Sequence, residues 1–268
     1  KNTDENNQKQ DEQNQSKIET DTNTVDLQQS VSMEESDEIG EDSSEGEIEY
    51  FPKIEINIEK TMHLKNVLRI KNNQNIIVFN GDGVEYLAEI TYLEKTIVHI
   101  KKENRRKALD VHNIVLAQSI SSSKHMDFSI QKSVELGINH IVPIVSSRSH
   151  PGNYENKIKH WEKIIINAVE QSNGLYIPKL SPIITFDKYI KADNLDQFHK
   201  ICFHINGRSL NETDKSKNSH IMLIGPEGGF SDSEISSLEK FHWNIISLGD
   251  RIFRTETASI VAQTILRN

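Results

Sequence analysis

The spacing of apolar residues changes along the chain and predicts two kinds of fold unit. Residues 54–58 (IEINI) alternate apolar and polar side chains, as a half-buried strand does. Residues 60–70 then show near-helical spacing, and residues 75–90 form two strand-like runs around the turn residues Asn80–Gly83. With a further strand at 96–100, this pattern predicts a small β-rich, barrel-like domain over residues 50–109.

After residue 110 the pattern becomes strand, helix, strand. The continuous apolar run at 113–120 is typical of a strand that is covered on both faces. Such alternation predicts an α/β domain over residues 110–268, with a mostly parallel sheet and helices on both faces. Its predicted strands are 113–120, 138–145, 199–205, 220–225 and 244–249, and its predicted helices are 124–136, 154–172, 231–242 and a terminal one from Thr255.

Charge sets the first 49 residues apart from the rest of the chain. Residues 1–49 contain sixteen acidic residues, three lysines and no Phe, Tyr or Trp, which gives a charge of −13. This segment cannot bury enough apolar surface to order itself, so we expect it to be disordered. The remaining residues carry a net charge of about +4, which brings the net charge of the whole chain to −9. RNA is therefore not excluded as a partner of the folded part.

Several classes of protein do not fit this composition. Cys202 is the only cysteine, which excludes intrachain disulfides and cysteine-based zinc sites. His150 and His204 have no partners at metal-ligand spacing, and we expect no metal. Neither a secretory signal nor an apolar run of membrane-spanning length is found, so we expect a reducing compartment such as the cytoplasm.

Two glycine-containing loops are the strongest candidates for ligand binding. Gly225–Gly229 follows one predicted strand and precedes a helix that the capping box Ser231–Glu234 opens. Residues 248–259 (LGDRIFRTETAS) follow the last strand. Ligands of open α/β sheets bind beyond the carboxyl ends of strands, although a glycine-rich turn with no ligand explains the first loop equally well. The usual phosphate-loop and dinucleotide fingerprints are absent, so any cofactor must bind late in the chain.

These two loops, LIGPEGGFSDSEI followed by LGDRIFRTETAS, closely resemble the RsmE family of small-subunit (16S) rRNA uridine-N3 methyltransferases, in the SPOUT superfamily. Residues 63–90 resemble the PUA-like domain of that family, and the likeness extends from about Tyr50 to the C-terminus. The resemblance implies a trefoil-knotted domain, S-adenosylmethionine as cofactor, RNA held by the PUA-like domain, and a homodimer. It implies a cofactor site formed by Leu223, Gly225, Glu227, Gly228, Gly229, Leu248, Gly249, Arg251, Ile252, Phe253 and Arg254.

Methylation of uridine N3 requires stabilisation of negative charge on the base and an acceptor for the N3 proton. Arg254 and Arg251 are candidates for the first task, and Glu256 and Glu170 for the second. Each carboxylate is also explained by an ordinary position on a helix. For RNA the candidates are His63, Arg69, Lys124, Lys132 and Arg148, which lie in segments that match the family.

Two departures from the family pattern fall on plausible RNA-binding positions. EQSNGLYIP lacks an arginine after Ser172, and Glu49 replaces a basic residue before Tyr50. The alternatives to the enzyme are therefore an RNA-binding ribosome-assembly factor with weak or lost methyl transfer, and a methyltransferase that acts on another RNA site.

Overall fold

A computed structural model describes residues 24–26, 53–150, 152, 154 and 156–267. The chain divides into two compact units, residues 1–108 and 109–268. Most of the acidic segment 1–49, predicted to be disordered, lies outside the described residues. The exception is Thr24–Asp26, a three-residue strand (β1).

The first unit is a five-stranded sheet in the order β1-β3-β4-β5-β2, with β1 parallel to β3 and the other pairs antiparallel. Its remaining elements are β2 (Lys53–Ile56), α1 (Ile58–Asn66), β3 (Gln74–Phe79), β4 (Val84–Tyr92) and β5 (Thr96–Arg106). The predicted hairpin is confirmed, since β3 and β4 flank Gly81 and Gly83, whose φ angles are 86° and 100°.

The first predicted strand is shorter than expected. It ends at Ile56 because the Asn57 side chain accepts a hydrogen bond from the Lys60 amide at 2.9 Å and so caps α1. Ile58, which the alternating pattern assigned to the strand, is therefore the first residue of a helix.

The second unit is a parallel sheet in the order β12-β10-β11-β6-β7-β8, with β9 also paired to β7. Its strands are β6 (Asn113–Ser119), β7 (His140–Val145), β8 (Lys179–Leu180), β9 (Ile184–Thr185), β10 (His199–Ser209), β11 (Ser219–Ile224) and β12 (Asn244–Ser247). Its helices are α2 (Ser123–Glu135), α3 (Lys157–Gln171), α4 (Phe186–Ile190), α5 (Glu212–Lys215), α6 (Asp232–Lys240) and α7 (Thr255–Arg267).

Helices cover both faces of this sheet, as the continuous apolar strands predict. Val115 and Leu223 belong to a buried cluster with residues of α4 and α6, which includes Trp243 and Cys202. The other face is covered by α7, which packs against β6, β11 and α2, while α3 packs on α2. Chain order matters here: after the edge strand β12 the chain returns to the middle of the sheet as α7.

Of the helices within the described ranges, none is both long and apolar enough to cross a membrane.

Candidate functional site

The two candidate loops meet at the carboxyl edge of the parallel sheet. The first loop, residues 225–231, follows β11, and the second, residues 248–254, follows β12. Thr255, the first residue of α7, donates its hydroxyl to the Gly225 carbonyl at 2.6 Å. The same hydroxyl accepts from Gln118 Nε2 at 3.0 Å. These bonds join the ends of β6 and β11 to the start of α7, so residues far apart in sequence form one site.

Glycine is required at different points of the loops for different reasons. Gly229 and Gly249 have φ angles of +66° and +114°, which side chains other than glycine rarely adopt. A Cβ built at either position meets no atom within 4 Å, so the backbone is open on that side. At Gly225 and Gly228 the φ is ordinary, but a Cβ would lie 3.2 Å from Phe230 Cε2 and 3.3 Å from Arg148 Cδ. These two glycines allow close packing of the loop.

The segment after β7 braces the first loop. Arg148 Nη1 donates to the Gly228 carbonyl at 2.8 Å. The buried Glu234 carboxylate accepts from the Ser147 amide and hydroxyl, both at 2.8 Å, and from the Ser231 amide at 2.8 Å. Burial raises the pKa of Glu234, but these hydrogen bonds outweigh it, and the net pKa is lowered. Ser231 and Glu234 form the predicted capping box, so the start of α6 is confirmed.

Glu227 connects the first loop to the junction of β6 and α2. Its Oε1 accepts from the Ser122 amide at 2.9 Å and lies 2.9 Å from His125 Nδ1. Burial raises the pKa of Glu227, but the hydrogen bonds from His125 and Ser122 lower it to about 2. His125 Nε2 lies 3.8 Å from Glu256 Oε1 in the first turn of α7. Sequence reasoning missed Gln118, Ser122 and His125, because nothing in their local motif links them to loops a hundred residues away.

Several buried polar atoms beside these loops have no hydrogen-bond partner among the described residues. They are Gln118 Oε1, Ser119 Oγ and Ser121 Oγ at the end of β6, and Glu256 Oε2 in α7. A buried polar atom without a partner is costly, so Gln118 Oε1 and Glu256 Oε2 indicate places where a ligand or ordered water supplies the bond. The donors and acceptors suit a polar organic molecule.

The predicted cofactor-binding residues differ in how far their side chains are exposed to solvent. Leu223 is fully buried in the sheet core, so only its backbone is close to the loop. Arg251 and Arg254 are exposed, and neither forms a side-chain hydrogen bond or ion pair with the residues that the structure describes. In the same loop Ile252 is 81% exposed, whereas Leu248 and Phe253 are half-buried.

The other predicted residues lie on several elements. Glu170 is half-buried in the last turn of α3, which packs on α2 and does not end at the loops. Lys124 is exposed on α2, and Lys132 lies on the same helix with its Nζ 2.7 Å from Glu135 Oε1. His63 and Arg69 are exposed in the first unit. Among the candidates in the second unit, Arg148 contacts the first loop directly. Lys124 lies beside His125 at the start of α2.

Family models match nearly the whole described chain. Residues 107–267 match the RNA methyltransferase domain, and residues 59–103 match the RNA methyltransferase PUA domain. These matches, together with the parallel sheet and its helices, confirm the predicted fold class: a SPOUT-type α/β domain preceded by a PUA-like domain.

Named relatives and solved structures point to the same family as these models. Over 208 residues the chain is 36% identical to ribosomal RNA small subunit methyltransferase E of Mesomycoplasma hyopneumoniae, covering 75% of this chain and 88% of the relative. The enzyme of the same name from Buchnera aphidicola (Acyrthosiphon pisum) is also 36% identical, over 78% and 85% of the two chains. A structure of ribosomal RNA small subunit methyltransferase E from Neisseria gonorrhoeae, bound to S-adenosyl methionine, superposes with a TM-score of 0.73 at 33% identity, covering 80% and 91%. The chain therefore belongs to the ribosomal RNA small subunit methyltransferase E family of RNA methyltransferases.

Proposed function

We propose that this protein transfers a methyl group from S-adenosylmethionine to N3 of a specific uridine in small-subunit (16S) rRNA. The observation that carries the proposal is the meeting of loops 225–231 and 248–254 at the carboxyl edge of the parallel sheet. The relative from Neisseria gonorrhoeae, which shares this fold at 33% identity, binds S-adenosyl methionine. The proposed place of action is the cytoplasm, together with the ribosomal subunit.

The residues at the loops fit this cofactor. The backbone at Gly229 and Gly249 is open to a ligand, and the unpartnered Gln118 Oε1 can accept a hydrogen bond from a hydroxyl or amine group of S-adenosylmethionine. When bound, the cofactor supplies a methyl group that its sulfonium already activates. What remains for the protein is to position the uracil and to manage the N3 proton.

Negative charge that develops on the uracil oxygens needs a nearby cation that is not already paired with a carboxylate. Arg254 and Arg251 satisfy this condition, because both are exposed beside the loops and carry no ion pair to the described residues. For removal of the N3 proton we favour Glu256 over Glu170. Glu256 lies in the first turn of α7 at the site and has a buried oxygen, Oε2, with no partner in the described part of the chain. Glu170 lies in the last turn of α3, whose other end contacts the start of α2 through Lys157 and Ser123.

We propose that the PUA-like domain holds the rRNA, with His63 and Arg69 as contacts. Lys124, Lys132 and Arg148 are the proposed contacts on the catalytic domain, and Arg148 would then act both on RNA and on the glycine loop. We also propose a homodimer. Apolar surface at Phe128, 43% exposed on α2, is available to a second copy, and sedimentation of the purified chain would show a dimer.

The decisive experiment is methyl transfer from labelled S-adenosylmethionine to small ribosomal subunits that lack the modification, with the product nucleoside identified by mass spectrometry. N3-methyluridine at one site is the expected product. Normal cofactor binding and rRNA binding with no incorporated methyl would instead select the assembly-factor alternative. A different methylated nucleoside or a different RNA would overturn the substrate assignment but not the chemistry.

A further inference from the structure

His125 lies between two carboxylates that come from different parts of the candidate site. Its Nδ1 is 2.9 Å from Glu227 Oε1, in the first loop. Its Nε2 is 3.8 Å from Glu256 Oε1, in the helix that follows the second loop. The imidazole is partly shielded, with 29% of its side chain exposed. A single side chain on α2 thus faces acidic groups from both loop-helix junctions.

The chemistry of the three groups decides which form of the ring fits. An ionised carboxylate only accepts hydrogen bonds, so the nitrogen that faces Glu227 must carry a proton. A neutral ring with that proton would direct the lone pair of Nε2 toward the Glu256 carboxylate. The imidazolium form instead directs an N–H toward each of the two carboxylates.

The neighbouring contacts show why the ring can hold this position. Ser122 Oγ lies 2.9 Å from His125 Nδ1, and the Ser122 amide donates to the same Glu227 oxygen at 2.9 Å. Glu227 is therefore held to the start of α2 by two groups. Glu256 has no comparable set of partners among the described residues, and its Oε2 is buried without one. His125 therefore matters more for the orientation of the Glu256 carboxylate than for that of the Glu227 carboxylate.

We propose that His125 is a positioning residue that bridges Glu227 and Glu256 as a cation, and so holds the two cofactor loops in register for S-adenosylmethionine. This inference rests on the proposed function and adds to it the contact that couples the loops. His125 need not touch the cofactor itself. Its effect is to keep the glycine loop and the first turn of α7 at the spacing that the ligand requires.

Calorimetric titration of the full chain with S-adenosylmethionine tests the bridge. His125→Gln removes the charge and one of the two ring donors, and we expect the Kd to rise about tenfold, which corresponds to one charge-assisted hydrogen bond. His125→Lys restores a cation that can reach both carboxylates, and it should bring the Kd back to within about threefold of wild type. His160→Gln is the matched control. His160 forms a similar pair, 2.9 Å from Asp127 Oδ2, on a helix that does not contribute to the loops, and its loss should leave the Kd unchanged.

The coupling to Glu256 is tested by a double-mutant cycle. Once His125→Gln is present, adding Glu256→Gln should change the Kd much less than Glu256→Gln does alone, because the bridge is already broken. Equal Kd values for wild type and His125→Gln would overturn the bridge while leaving the proposed function intact. Failure of lysine to restore binding, or strictly additive effects of the two substitutions, would overturn it as well. Absence of binding to the wild-type chain would instead overturn the proposed function, and the bridge with it.

Discussion

Arg254 and Arg148 are both exposed arginines beside the first loop, yet their surroundings give them different roles. Arg148 is already engaged, since it donates to the Gly228 carbonyl at 2.8 Å. Arg254 has no ion pair with any described residue and immediately precedes α7, where Thr255 is tied to Gly225. A guanidinium in this position is available to a bound base. Arg148 therefore holds the first loop, and Arg254 remains the proposed cation for the uracil oxygens.

We expect Arg254→Ala to lower the rate of methyl transfer at least about tenfold, because one charge-stabilising donor is commonly worth more than that factor. Arg254→Lys should retain part of the rate, since the charge remains while the fork of donors is lost. The measurement is single-turnover methyl transfer at saturating cofactor. An unchanged rate in the alanine variant would remove Arg254 from its proposed role.

Gly228→Val should weaken binding of S-adenosylmethionine at least about tenfold. A Cβ at position 228 would lie 3.3 Å from Arg148 Cδ. The larger, branched valine side chain would therefore push Arg148 away from the loop. Titration with the cofactor measures the effect. Gly152→Val is the control, because among the described residues the atom nearest to a Cβ there is Tyr154 Cε1, at 3.9 Å. Wild-type affinity in Gly228→Val would mean that the first loop is only a turn.

At the scale of elements, α6 shows how one carboxylate can join a helix to a neighbouring strand. Glu234 completes the capping box with Ser231 and also accepts two hydrogen bonds from Ser147, which follows β7. The sequence predicts the first interaction, because its partner is three residues away. The second could not be predicted from sequence, because it joins positions 87 residues apart.

Glu234→Gln should lower the free energy of unfolding by about 1–3 kcal/mol at pH 7, since the amide group of Gln would face N–H donors. The pKa of Glu234 is lowered in the folded protein, so its contribution is present above the unfolded pKa of about 4.3 and is lost as the pH falls through the folded value. Urea unfolding at pH 7 and pH 3.5 should therefore show a smaller difference at the lower pH.

Glu239→Gln is the matched control, because Glu239 is exposed on the same helix. Equal stability of wild type and Glu234→Gln at pH 7 would show that the buried carboxylate network is energetically neutral.

At the scale of the whole molecule, the chain combines an acidic N-terminal segment with two compact units. Residues 1–49 carry about −13, while the rest is mildly basic, which suits RNA. Of the acidic segment the structure describes the strand Thr24–Asp26, which pairs with three residues of β3. Three edge residues contribute little to a sheet compared with the long β4–β5 pair.

Deletion of residues 1–49 should therefore shift the melting temperature of the chain by no more than about 2 °C, because the segment has few apolar groups to bury. Scanning calorimetry of the full and shortened chains measures this shift. A fall of several degrees would show that β1 and its neighbours form part of the stable fold.

The sequence by itself determined the class of fold, the position of most long elements and the identity of the two loops. These depend on local signals: apolar runs for the strands of the covered sheet, a capping box at Ser231 and glycines where φ is positive. Short elements in 179–190 escaped prediction, because two-residue strands such as β8 have no pattern of their own and exist only by pairing with β7. Only the tertiary structure decided that His125, Glu227 and Glu256 meet, because their contacts span more than a hundred residues. Sheet order places the end of β6 beside the end of β11, and the return of α7 to the middle of the sheet brings Glu256 to the same point.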